Sequence, residues 1–414
     1  MKTLTLSASV LALGTVLAAS ALAVTTPPTQ GPAQNGSPAW HLQQGVPDPL
    51  GRGIVDDQGR VTVPPRAANA AGGRRGPTVG NGFGSSHSTI CTRVGGPNRQ
   101  DTWRVVWSQT MGYTFSYPFH VPPGMGGNPG VAVDSKGNVW VLQRKPEGQA
   151  QLFKFDKDAR LIVTVGPDVI PYQKKAHGMK VDRDDNVWIT DTTGATLLEI
   201  SSDGKLLKTI GVRDKRGDWD EAKGQHLLWQ PTDVAFGPNG DLYIGEGHAN
   251  ESPNDTDSDD AANVLGTSRV LHFDKNGSFI NQWFGDDVGQ GKFDEIHGMA
   301  VDPKSGDVWL ADREQYRIVI YNADGKFLRT LQLRNLICAI AFDKKGQPWI
   351  TSGQDGQVLK IDRNGKVLGA IGGGMGIEPG QFIEAAFFDF DSQGNIYVGD
   401  TSIGRVAKIS PPKK

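Results

Sequence analysis

The sequence predicts an all-β fold, a six-bladed β-propeller, and three observations predict it. One strand-turn-strand sentence recurs six times, with innermost strands GVAVD (130–134), GMKVD (178–182), TDVAFG (232–237), GMAVD (298–302), AIAFD (339–343) and FFDFD (387–391). The corresponding positions 134, 182, 237, 302, 343 and 391 step by 48, 55, 65, 41 and 48 residues, the spacing of four-stranded blades. Apolar residues recur with period two throughout, never with the helical period.

The elements of a blade follow in order. Second strands read NVWV (from 138), NVWIT (186), DLYIG (241), DVWLA (307), QPWIT (347) and NIYVG (395). They are reached through SKGN, RDDN, GPNG, PKSG, KKGQ and SQGN, all turn-forming tetrapeptides. Third strands are QLFKFD (151), TLLEIS (196), RVLHFD (269), RIVIYN (317), QVLKID (357) and RVAKIS (405). Fourth strands LIVTVG, LLKTIG, FINQWFG, FLRTLQL and VLGAIG complete five copies, and the sixth runs out in the polar PPKK. TWRVVWSQ (102–109) is expected to supply the missing strand from the N-terminal side, which leaves the ring without exposed sheet edges.

Composition narrows the function. The chain has 414 residues, 43 basic and 45 acidic, for a net charge of −2. That balance favours neither a polyanion nor a charged membrane surface, and no basic-aromatic stripe for nucleic acid occurs. Two cysteines make at most one disulfide, so bridges do not hold the fold together. Residues 1–23 carry Lys2, an apolar run from Leu4 to Leu22 and an Ala21-Leu22-Ala23 cleavage signature, which predicts a secretory signal and a secreted or periplasmic protein. No other stretch is long and apolar enough to span a bilayer. Residues 24–100, rich in Pro, Gly, Gln, Asn and Ala, predict a partly disordered lead, and the propeller is assigned to 101–414. A monomer acting on a small molecule or peptide is expected.

The repeats resemble NHL repeats. Four stretches go further: NPGVAVDSKGNVWVLQR, AHGMKVDRDDNVWITD, QPTDVAFGPNGDLYIGEG, and IHGMAVDPKSGDVWLADRE with RIVIY. These resemble the core of the peptidyl-α-hydroxyglycine α-amidating lyase family over about residues 100–412, with the ADRE segment behind a His-Gly strand the most specific part. The resemblance implies an exported metal-dependent lyase acting on a small carboxylate-bearing substrate in the propeller channel. The alternative is a noncatalytic NHL propeller that binds a ligand or protein. A lactonase-type hydrolase on the same fold is disfavoured, because its acidic metal cluster has no match here.

Counting five residues back from each repeat's terminal Asp, or its equivalent, gives Pro129, His177, Thr232, His297, Cys338 and Ala386, a ring at one channel mouth. The family resemblance implies zinc on three histidines from alternate blades, and His177 and His297 match two of them. The third position is Ala386. Two replacements are available: Glu384, two residues earlier on the same face of a strand, and Cys338, itself on the ring. A metal there can polarise a substrate oxygen.

By the same resemblance Arg313 and Arg144 bind the substrate carboxylate, for which the guanidinium fork is suited. His248, in GEGHAN, stands for a tyrosine the family uses as base, and imidazole can move a proton. The insertion at 251–268, rich in Asp and Asn, invites a calcium reading, but it lacks the turn Gly and closing Glu of an EF-hand loop. A lid over the mouth is expected of it instead.

Overall fold

Six four-stranded antiparallel sheets follow one another around a closed ring in the computed structural model. It describes residues 111–413 with short breaks, the longest at 249–267, together with residue 109 and a strand pair at 54–55 and 61–62. The secretory segment 1–23, nearly all of the lead and nearly all of the 251–268 insertion lie outside the described residues. Inner strands are Gly130–Val133, Ala176–Val181, Pro231–Phe236, Ile296–Val301, Ile337–Phe342 and Ala385–Phe390. Each packs beside the inner strand of the next blade, and the sixth returns to the first. No α-helix occurs among the described residues, and no helix there is long and apolar enough to cross a membrane.

Blade 6 is Ala385–Phe390, Ile396–Asp400 and Val406–Ser410, completed by Thr114–Ser116, which pairs antiparallel with Val406–Ser410. The strand expected to do this, 102–109, falls outside the described residues except for Gln109, and 114–116 takes the place assigned to it. Phe115 anchors the short strand, packing its ring against Phe382 at 6.1 Å.

The repeat sentence has a packing reason. Its second-strand aromatic, Trp140, Trp188, Tyr243, Trp309, Trp349 or Tyr397, is buried in the layer between its own blade and the following one. One apolar cluster fills each of the six interfaces, so every blade spends one large ring on its neighbour. The terminal Asp of the inner strand serves the turn. Asp134 Oδ1 accepts the amides of Lys136 (3.0 Å) and Asn138 (2.8 Å), and Asp182, Asp343 and Asp391 repeat the arrangement. Asp182 and Asp343 also accept the indole N–H of Trp188 and Trp349, which ties turn and interface together. Trp309→Ala is expected to cost about 3–5 kcal/mol, seen as a lower urea midpoint at unchanged slope. A loss below about 1 kcal/mol would mean this interface is not packed through the indole.

In blades 2, 4, 5 and 6 the inner strands begin two residues earlier than the periodicity alone suggests, so His177 and His297 lie inside strands. In blades 2 to 6 the pairing register shifts at the ring residue: between Ala176 and Met179, Pro231 and Asp233, Ile296 and Gly298, Ile337 and Ala339, and Ala385 and Phe388. An extra residue in one strand of a pair bends it and re-aims a side chain. Five of the six ring positions are therefore bulges.

Candidate functional site: a histidine cluster in the propeller channel

Three histidines meet at this ring. His177 and His297 come from the inner strands of blades 2 and 4. Their ring centroids lie 4.5 Å apart, and His248 of blade 3 sits 4.8 Å from the first and 5.6 Å from the second. All three are buried, with one nitrogen from each within 4.8 Å of the others. The backbone orients two of them. His177 Nδ1 donates to the Thr232 carbonyl and His297 Nδ1 to the Cys338 carbonyl, both at 2.7 Å, so each uses the ring residue of the following blade. A carbonyl only accepts, which puts the proton of the neutral ring on Nδ1 and leaves Nε2 with a lone pair. The Gly after each histidine follows from the same contact, since a Cβ at Gly178 or Gly298 would collide with the accepting carbonyl.

Burial drives all three imidazoles well below the usual histidine range. Nearby cations add to it: Arg144 on His177, Arg313 on His297 and Lys175 on His248. Neutral imidazole is the metal-binding form. Three buried imidazoles with one nitrogen of each within 4.8 Å of the others suit a metal ion. The donor set therefore fits a metal ion, and the three buried histidines are able to hold one.

A pocket opens beside the cluster. Pro129, Arg144, His177, His297, Arg313, Glu384, Ala386, Phe387 and Thr401 line it. The two arginines expected to converge do share this cavity. Arg313 Nη2 lies 2.9 Å from Glu295, and Arg144 Nε donates to the Ala176 carbonyl at 2.9 Å. Asp312 of the ADRE segment serves a different purpose from its neighbour. It accepts the amides of Asp294 (3.0 Å) and Glu295 (2.9 Å) and binds Arg317 Nε at 2.7 Å. Asp191 and Asp400 pin the corresponding loops of blades 2 and 6 in the same way. Charge at that position belongs to the repeat, and Arg313 is the residue of the segment that faces the pocket.

The two residues offered as a third ligand, Glu384 and Cys338, stand outside the three-histidine group. Glu384 lines the pocket. Cys338 is buried, its thiol pushed up by burial and by the Glu384 charge, with a hydrogen bond to Arg313. A thiol held protonated is a poor ligand. Cys91, the other cysteine, lies outside the described residues.

His248 arrives by a route that strand periodicity does not contain. Its strand, Leu242–Glu246, ends on a carboxylate held by Arg269 at 2.6 Å. Gly247 then takes φ +139, a backbone region that strains any residue with a Cβ, and places His248 beside the two ring histidines. Two further residues were not anticipated. Glu295 pairs with Arg313 and comes within 3.8 Å of His248. Phe387 stacks on His297 at 5.8 Å and 16°, and meets His177 edge-on at 5.3 Å. The signal for Phe387 was visible: blades 1, 2 and 4 carry Gly130, Gly178 and Gly298 at its position.

The fold and cluster together define a six-bladed propeller with a polar channel site, similar to the amidating-lyase family. A region of 258 residues, 57% of this chain, is 27% identical to peptidyl-glycine alpha-amidating monooxygenase A of Xenopus laevis. Another, of 208 residues and 47% of the chain, is 24% identical to a probable peptidyl-alpha-hydroxyglycine alpha-amidating lyase of Caenorhabditis elegans. The matched regions span 24% and 52% of those proteins' lengths. No protein-family model matches the chain. Among solved structures, a gluconolactonase of Xanthomonas campestris superposes with TM-score 0.52 at 13% identity, covering 72% of this chain and 90% of that one, which shows the shared fold alone.

Proposed function

We propose that this protein is an exported, zinc-dependent lyase that breaks the carbon–nitrogen bond of a carboxylate-bearing carbinolamine, as in an N-acyl-α-hydroxyglycine. The observation that carries the reading is one pocket bringing two arginines against a cluster of three neutral, buried histidines. His177, His297 and His248 would hold the ion, which makes the set one of three consecutive blades. His248 thereby replaces the ligand that Ala386 lacks. When bound, the ion supplies Lewis-acid polarisation of a substrate oxygen.

The chain's own residues do the rest. Arg144 and Arg313 bind the carboxylate with paired N–H donors, and Glu295 holds the Arg313 guanidinium at 2.9 Å so that less freedom is lost on binding. Phe387 walls the pocket beside the histidines and limits the water that reaches the reacting carbon. Export rests on the composition of residues 1–23.

A second reading, a propeller that binds such a carboxylate without turning it over, draws on Ala386 and Phe387 in the blade that departs from the pattern. One experiment separates the two. The purified protein is analysed for metal and incubated with N-benzoyl-α-hydroxyglycine, with glyoxylate and amide measured. About one zinc per chain with equal release of both products supports the lyase. A metal-free protein that binds but does not release them supports the binding propeller.

A further inference from the structure

The proposed cleavage needs a group that takes the hydroxyl proton and returns it to nitrogen. We propose that Glu384 is that group, an inference that rests on the lyase reading above. Among the residues lining the pocket, Glu384 carries the one carboxylate. The remaining side chains are eliminated by their chemistry. Arg144 and Arg313 stay protonated. His177 and His297 hold their Nδ1 protons against carbonyls and, on that reading, commit Nε2 to the ion. Thr401 offers a hydroxyl, far too weak a base at neutral pH. His248 is not among the lining residues.

Glu384 is also held where such a group must be. Its backbone is clamped on both sides: its amide donates to Asp400 at 3.3 Å, and its carbonyl accepts the Thr401 amide at 3.1 Å. The residue is only 3% exposed. Its position lies two residues before the ring residue, as Lys175 lies before His177 and Glu295 before His297. In blade 4 that carboxylate is paired with Arg313, and in blade 6 it lines the cavity together with both arginines.

The step balances without any oxidant or reductant. Glu384 takes the proton from the carbinol oxygen, and the O–H electron pair becomes the second bond of the new carbonyl. The C–N bond breaks with its pair going to nitrogen, which receives the proton from the Glu384 carboxylic acid. The products are an amide and an α-oxo acid.

The test compares wild type, Glu384→Gln and Glu384→Asp for zinc content, steady-state turnover of N-benzoyl-α-hydroxyglycine and the pH profile of kcat. Glu384→Gln is expected to lower kcat about 100- to 1,000-fold. Its KM and zinc content should stay within about twofold of wild type, and the acid limb of the kcat profile should vanish. Glu384→Asp should keep that limb with an intermediate kcat, and it decides the matter if the glutamine variant does not fold. Turnover within tenfold of wild type in Glu384→Gln, or unchanged kcat in Glu384→Asp, would overturn the proposal. Loss of zinc along with activity would overturn it too, by making Glu384 a ligand. A wild-type protein that turns nothing over removes the lyase reading itself, and this inference with it.

Discussion

His248→Ala is expected to strip the protein of most of its zinc, lowering affinity at least a hundredfold. Two imidazoles remain, and structural zinc sites with four ligands bind with apparent free energies of about 10–16 kcal/mol, so losing one ligand removes about 3 kcal/mol. Activity should fall with the metal and return in part when zinc is supplied in excess. The role first assigned to His248 predicts a different result. A residue that only moves a proton would leave the metal in place and lower kcat alone, by about 10²–10⁴. Elemental analysis of the dialysed variant beside a single-turnover assay separates the two. Full zinc in His248→Ala would take the third ligand away from blade 3.

Arg313→Ala should produce the second large effect, in two measurements at once. Removing the guanidinium leaves Glu295, itself 1% exposed, without the cation 2.9 Å away. Breaking a buried pair from one side costs about 3–5 kcal/mol, which urea denaturation of the metal-free protein will register. At the same time kcat/KM should fall by about 10²–10³, because a charge-assisted fork to the substrate carboxylate is gone. Arg313→Lys keeps the charge and loses the planar fork, so it should recover stability better than kcat/KM. Equal recovery of both would reduce Arg313 to a structural partner of Glu295.

The sequence exposed one half of this site and concealed the other. His177 and His297 were legible because each occupies the same position in a repeat whose period could be counted, and equal positions in a propeller face a common axis. Arg144 and Arg313 were legible through the motifs that surround them. That His248 joins the other two was not legible, since it lies off the strand end and only the φ of Gly247 carries it to them. Glu384 was found by strand parity with Ala386, and the two do line one pocket although the ladder shifts between Ala385 and Phe388. Alternation assumes an unbroken ladder, and the inner strands of blades 2 to 6 break theirs at the ring.

Blade number and the order of strands within each blade belong to the sequence alone, because each follows from a local pattern of period two repeated at a fixed spacing. The tertiary structure decided which strand closes blade 6 and which histidine joins the first two. Those choices join residues that lie far apart in sequence, Thr114–Ser116 with Val406–Ser410 and His177 with His248 and His297. They depend on closure of the ring and on single backbone departures from the repeat, and a periodic pattern carries no information about either.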